Sequence, residues 1–157
     1  VLPGMTERGS GTIVNVTSVE GRIVTPFNGG YGATKFALEG LSEAMRLELW
    51  PLGVRVVVIE PGLYSTNLSA NQVVAKRTEA SDLQYGPLLA RYRKHRADYD
   101  RLAKDPAKVS RVIHRAIRSR RPRFRYTVGA EATLGIMASR YLPERIFQTL
   151  LSRALLR

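Results

Sequence analysis

Hydrophobic and polar positions follow two different periods along this chain, and the switches between them mark its elements. Residues 12–18, Thr-Ile-Val-Asn-Val-Thr-Ser, are largely β-branched and flanked by Gly9, Gly11 and Gly21. That composition predicts a buried strand. A loop containing Pro26, Asn28, Gly29 and Gly30 follows. From about Tyr31 to Trp50 the spacing turns helical. Ala33, Ala37, Leu41, Ala44, Leu47 and Leu49 mark the expected apolar face, and Glu39, Glu43, Arg46 and Glu48 the wetter one. Pro51 and Gly53 stop that helix, and Val54 to Ile59 is a second β-branched run closed by Pro61-Gly62.

Strand, helix, strand makes one βαβ unit, in which parallel strands are joined by a right-handed crossover. In open α/β sheets the ligand crevice lies beyond the carboxyl ends of the strands. Ser18 follows the first strand, Pro61-Gly62 follows the second, and Tyr31 opens the connecting helix. All three therefore fall on one rim.

Beyond Thr66 the pattern is softer. Residues 67–82 are polar with some helical character, and 87–103 read as a helix with Leu88, Leu89, Tyr92, Tyr99 and Leu102 near one face. Asp105-Pro106 predicts an N-cap followed by proline at the first helical position, opening a helix through Ser119. Residues 123–128 alternate like a strand ending at Gly129, and short helices are expected at 130–139 and 143–156. At the other end, Leu2-Pro3-Gly4-Met5 reads as the end of a helix entering a loop. The expectation is a single domain over 1–157 whose N-terminal part is missing, with a catalytic unit at 12–66 and a substrate-side region at 67–157.

Composition narrows the classes. A chain of 157 residues is long enough for a real core, and its 24% charged content is ordinary for a globular protein. The absence of cysteine excludes disulfides and thiolate metal sites. His95 and His114 sit in basic surroundings without a carboxylate cluster, so no metal site is expected. No apolar run approaches the roughly 18 residues of a membrane span and no secretory signal opens the chain, which makes a cytoplasmic protein the expectation.

Charge is unevenly placed: residues 1–90 carry a net −1 and residues 91–157 a net +13. The densest block, Arg118 to Arg125, raises nucleic-acid binding, because clustered cations bind phosphate without sequence preference. Leu142 to Leu156 interleaves leucines with arginines and raises a membrane-surface role. A solvated face and a segment packed on its own domain are the plainer readings of both, and nucleic acid is not the expected partner.

The candidate chemistry lies between Ser18 and Lys35. Tyr31 and Lys35 are four apart and share one helix face. An ammonium there favours the phenolate of a phenol whose reference pKa is about 10, as a general acid/base working near neutral pH requires. Ser18 lies thirteen residues earlier, and a hydroxyl can donate to a carbonyl oxygen. Taken singly, each of these is more often a surface tyrosine, a solvated lysine and a turn serine. Ser18, Tyr31-x-x-x-Lys35, the Asn-Val-Thr-Ser strand end, the Gly-Gly before Tyr31 and Pro61-Gly62 together resemble the signature of the short-chain dehydrogenases/reductases, of the hydroxysteroid- and retinol-dehydrogenase-like kind.

The resemblance is strong over residues 1 to about 66 and fades afterwards. It implies a Rossmann-type, three-layer, doubly wound α/β fold with a parallel sheet. It also implies interconversion of an alcohol and a carbonyl with NAD or NADP on a small-molecule substrate, lipid-like molecules among the candidates. Tyr31 would be the proton donor and acceptor, Ser18 would hold the carbonyl oxygen, and Lys35 would hold the nicotinamide ribose. Pro61, Gly62, Tyr64 and Thr66 would flank the nicotinamide, with Gly62 giving its ring room. Relatives commonly pair through the helix bearing the tyrosine, so a homo-oligomer is expected of the complete protein. Asn15 reads as structural, since the family's catalytic asparagine lies upstream.

A dinucleotide fold also needs a glycine-rich turn after its first strand and a charged selector after the second. Neither is in the sequence, because Gly9-Ser10-Gly11 precedes a strand. The chain carries a reaction centre without the adenine half of the cofactor site, and alone it should not turn over. The rival readings are a basic nucleic-acid- or membrane-surface-binding protein on the same fold, and an inactive truncated product.

Overall fold

The computed structural model describes residues 1–66, 68, 71 and 84–156. A short helix α1 (Leu2–Glu7) leads into strand β1 (Gly11–Val16), and a 3-10 turn at Val19–Gly21 precedes helix α2 (Gly29–Leu49). Strand β2 (Val54–Pro61) is followed by helices α3 (Gly86–Asp100) and α4 (Ala107–Arg118), strand β3 (Arg125–Val128), and helices α5 (Ala130–Tyr141) and α6 (Glu144–Leu156). The strands form one parallel sheet in the order β1-β2-β3, with Val14 opposite Val57 and Ile59 opposite Tyr126. The expected helix at 67–82 lies, apart from residues 68 and 71, outside the described residues. Among the described residues, no helix is long and apolar enough to cross a membrane.

Side chains alternate across a strand, so β2 serves two layers. Val57 and Ile59 pack with Val109 and Ala116 of α4, while Val54 and Val56 pack with Leu49 of α2 and Phe124. Both faces of β2 are covered, which explains its nearly unbroken β-branched run. The α2 helix ends as the sequence predicts. A 3-10 turn over Trp50–Leu52 leads to Gly53 at φ 74°, where a Cβ would lie 2.1 Å from the Gly9 carbonyl oxygen. Only glycine fits that corner. At α4 the capping shifts by one residue: Pro106 occupies the N-cap position, and the amide of Ala107 donates to Asp105 Oδ1 at 2.8 Å.

The expected faces of α2 hold only in part: Leu49 is buried and Glu43 and Glu48 are exposed as expected, but other positions exchange roles. Leu41 is 56% exposed and Leu47 73%, whereas Glu39, expected to be wet, is 5% exposed and Ser42 fully buried. The reason is polar docking. Glu39 accepts from Thr17 at 2.7 Å and from Arg125 of β3 at 2.9 Å, and Asn15 of β1 donates to Ser42 at 2.9 Å. Arg125 also reaches Glu43, and Glu60, only 1% exposed, is bonded by Arg22 and Thr127. Buried charges persist only when paired, and here the pairing joins α2 to β3 while Asn15–Ser42 ties it to β1.

Candidate active site

The strand β1 ends by handing its last hydrogen bond to Thr17, whose amide donates to the Ile59 carbonyl at 2.8 Å. The chain then turns sharply at Ser18, which caps the Val19–Gly21 turn; its Oγ accepts from the Glu20 amide at 3.1 Å. With the oxygen engaged as an acceptor, the hydroxyl proton remains to donate elsewhere. The strand end thus presents a donor, not merely a polar atom.

Tyr31 lies in the first turn of α2, and Lys35 one turn later brings Nζ to 5.5 Å from the tyrosine ring centroid. Lys35 Nζ donates to the Val16 carbonyl at 3.1 Å, which fixes it behind Tyr31 at the end of β1. Burial pulls its ammonium below the usual lysine range. A partly desolvated cation is a stronger local charge than one in water.

Ser18, Tyr31, Gly62, Tyr64 and Thr66 line one open cavity of about 820 Å³. Lys35 and Pro61 are not on its wall: Lys35 stands behind Tyr31, and Pro61 is the last residue of β2. Gly62 also has a constraint within the fold, beside the role the resemblance implies. A Cβ there would lie 2.8 Å from Glu131 Oε1 and 3.0 Å from Ala132 Cβ, so the start of α5 already takes the space a side chain would need.

Tyr64 forms a parallel bridge with Lys104. The Lys104 amide donates to the Leu63 carbonyl and the Ser65 amide to the Lys104 carbonyl. In this pattern the amide and carbonyl of Tyr64 itself point away from the bridge. Asn15 bonds to Ser42 within the α2 contact and is absent from the cavity wall, in keeping with a structural role. Four phenols share the cavity, those of Tyr31, Tyr64, Tyr92 and Tyr99. Burial and the Glu131 carboxylate push the Tyr64 phenol up.

The sequence reading missed several residues of this site. Glu20, Thr25 and Asn28 line the cavity from the loop between Ser18 and Tyr31, Tyr92, His95, Arg96 and Tyr99 from α3, and Glu131 from α5. Phe27 adopts φ 58°, rare for a bulky residue, and its ring sits 5.5 Å from Tyr92 and 6.0 Å from Tyr85. Strained backbone of this kind gathers at ligand sites. One usable signal was present: Glu20 is the single acid in an otherwise uncharged stretch from Gly9 to Gly21.

The chain is similar to known proteins over most of its length. A family profile described as short chain dehydrogenase matches residues 1–77. Retinol dehydrogenase 5 of Homo sapiens is 32% identical over 163 residues, covering 97% of this chain and 51% of its own length. A short-chain dehydrogenase from Streptomyces avermitilis superposes with a TM-score of 0.67 at 30% identity, over 95% of this chain and 52% of that one. A short-chain dehydrogenase from Burkholderia cenocepacia, solved in complex with NADP, shares the fold with a TM-score of 0.66 at 21% identity, over 98% of this chain and 51% of that one. The chain spans about half the length of the curated relatives it matches.

Proposed function

The chain belongs to the short-chain dehydrogenase family, and from that premise we propose that it holds the reaction centre of an NAD(P)-dependent oxidoreductase interconverting an alcohol and a carbonyl. One observation carries this. The Ser18 hydroxyl and the Tyr31 phenol line one cavity, with the Lys35 ammonium fixed behind Tyr31.

The residues present fit the nicotinamide-ribose end of such a cofactor. Lys35 has a carbonyl and no carboxylate among its described partners, so N–H donors remain for a ribose diol. The outward amide and carbonyl of Tyr64, with the Thr66 hydroxyl, offer the donor and acceptor set a carboxamide takes. The nicotinamide supplies or accepts the hydride. The chain's own residues manage the oxygen and its proton. Ser18 donates to the carbonyl oxygen as charge develops there, and Tyr31 delivers the proton in reduction and removes it in oxidation. Lys35 stands 5.5 Å from the Tyr31 ring and holds the ribose beside it while the proton moves.

The binding-protein alternative loses support at the arginine block. Arg125 is bonded to Glu39 and Glu43, Arg123 stacks on Tyr126 at 5.0 Å, and the carbonyls of Ser119 and Arg120 accept from Arg55. The Arg125 and Arg123 side chains are thus engaged within the fold, which shortens the basic strip to Arg118, Arg120 and Arg121.

Lys35→Ala in the full-length protein is expected to weaken cofactor binding and lower turnover together. Losing a hydrogen bond from a charged group costs about 1.5–3 kcal/mol, or roughly 10–100-fold in the dissociation constant. Fluorescence titration with the reduced cofactor measures it, and unchanged affinity and rate would remove the role. The exposed outer face of α2, with Leu41 and Leu47, is where a second copy would pack. Leu47→Arg should then lower the solution mass by light scattering from dimer to monomer. A wild-type monomer would discard the pairing.

A further inference from the structure

The cavity wall between Ser18 and Tyr31 contains a carboxylate that the hydride-transfer chemistry does not use. Glu20 is 7% exposed and lines the cavity. Its oxygens accept from Thr25 Oγ1 at 3.0 Å and from Asn28 Nδ2 at 2.5 Å. Asn28 stands at the N-cap position of α2, yet its side chain makes no capping bond and is directed at Glu20. A favourable helix-capping residue is thus diverted to hold a carboxylate in place.

Two neutral donors do not exhaust a carboxylate, which has about four acceptor sites. Arg96 of α3 acts on Glu20 from a distance, while its Nε donates to Asp100 at 3.0 Å. Burial pushes the Glu20 carboxyl up despite Thr25, Asn28 and Arg96. The charged form is therefore under-compensated when no ligand is bound.

Position says what would compensate it. Ser18, Glu20, Asn28 and Tyr31 line the same cavity, so the carboxylate shares the space that the reacting carbon would enter. Much of the remaining wall is apolar or aromatic, with Ile23, Leu63, Tyr92, Tyr99, Leu151 and Leu155, and the polar side chains of His95, Arg96, Asp100 and Glu131 are spaced among them. A site with mostly apolar walls and a few placed polar groups binds an apolar body in one orientation.

We propose that this cavity selects amphiphilic substrates, with an apolar chain or ring system bearing a hydrogen-bond donor, hydroxyl or ammonium, beside the reacting carbon, and that Glu20 receives that donor. The proposal rests on the dehydrogenase reading and names its substrate class. It makes Glu20 a specificity residue, distinct from the group that moves the proton.

The test compares three ketones of equal chain length, one unsubstituted, one α-hydroxy and one α-amino, with the full-length protein and reduced nicotinamide cofactor. Binding of the three corresponding alcohols is followed separately by calorimetry. Wild type should favour the donor-bearing ketones over the plain one by roughly 10–100-fold in kcat/KM, the worth of a charge-assisted hydrogen bond. Glu20→Ala should collapse that ratio, chiefly through KM. Glu20→Gln, which keeps the shape and an acceptor oxygen, should retain the hydroxyl preference and lose the ammonium preference, separating the two donors.

A wild type without preference overturns the proposal. So does a Glu20→Ala variant that weakens all three substrates alike, the signature of a merely structural residue. If no ketone turns over but the amino alcohol binds more tightly than the plain alcohol through Glu20, the dehydrogenase reading falls and this one stands. If neither turnover nor a binding preference appears, both fall.

Discussion

Tyr31→Phe in the full-length protein is expected to lower kcat by about 10²–10⁴-fold, the usual contribution of a positioned general acid/base. The cofactor dissociation constant should stay within about threefold, because a phenolic hydroxyl is worth only about 1 kcal/mol as a hydrogen-bonding group. The separation follows from where each group sits. Tyr31 faces the cavity at the first turn of α2, while Lys35 is anchored independently through the Val16 carbonyl. Removing the phenolic oxygen takes away the proton carrier and leaves the ammonium in place. Stopped-flow turnover and equilibrium titration of the same preparation read the two effects. Ordinary turnover in the variant would sink the assignment of Tyr31.

Arg125→Met is expected to cost about 3–5 kcal/mol of folding stability, as removal of one partner from a buried ion pair does. Its guanidinium is the charge shared by Glu39 at 2.9 Å, Glu43 at 2.9 Å and Glu60 at 3.7 Å, and two of those carboxylates are almost fully buried. Thr17 and Arg22 continue to serve Glu39 and Glu60, which places the loss at the lower end of that range. Glu39→Gln combined with Arg125→Met should be less damaging than Arg125→Met alone, because the orphaned charge is gone. Urea denaturation of the four proteins closes the cycle. Equal stability of Arg125→Met and wild type would show that packing alone holds α2 on the sheet.

The βαβ unit was legible because local signals agreed. The β-branched runs, the Pro51–Gly53 stop and the glycine-flanked loop all point to the elements found. Ser18, Tyr31, Tyr64 and Thr66 meet on one cavity because strand ends and a helix start share a rim, which topology alone dictates. The faces of α2 were legible only in part. A periodicity argument assigns Leu41 and Leu47 inward and Glu39 outward, and it fails where a helix docks through charges contributed by strand β3, some 86 residues away. The partners that make Glu39 a buried residue are non-local, so no window of the sequence contains them. Gly62 illustrates the same limit, since its constraint comes from Glu131 on α5. Glu20 was visible as an oddity, but its meaning required seeing Thr25, Asn28 and α3 gathered around it.

Hydride transfer at this cavity is the central claim, and isotope transfer tests it most directly. Reduced cofactor carrying deuterium at C4 of the nicotinamide is mixed with the full-length protein and a ketone, and the alcohol is analysed by mass spectrometry and NMR. The account predicts one deuterium on the carbinol carbon with wild type and none above background with Tyr31→Phe. Cofactor that binds at Lys35 but delivers no label to any ketone, or label delivered equally by the Tyr31→Phe variant, would contradict it.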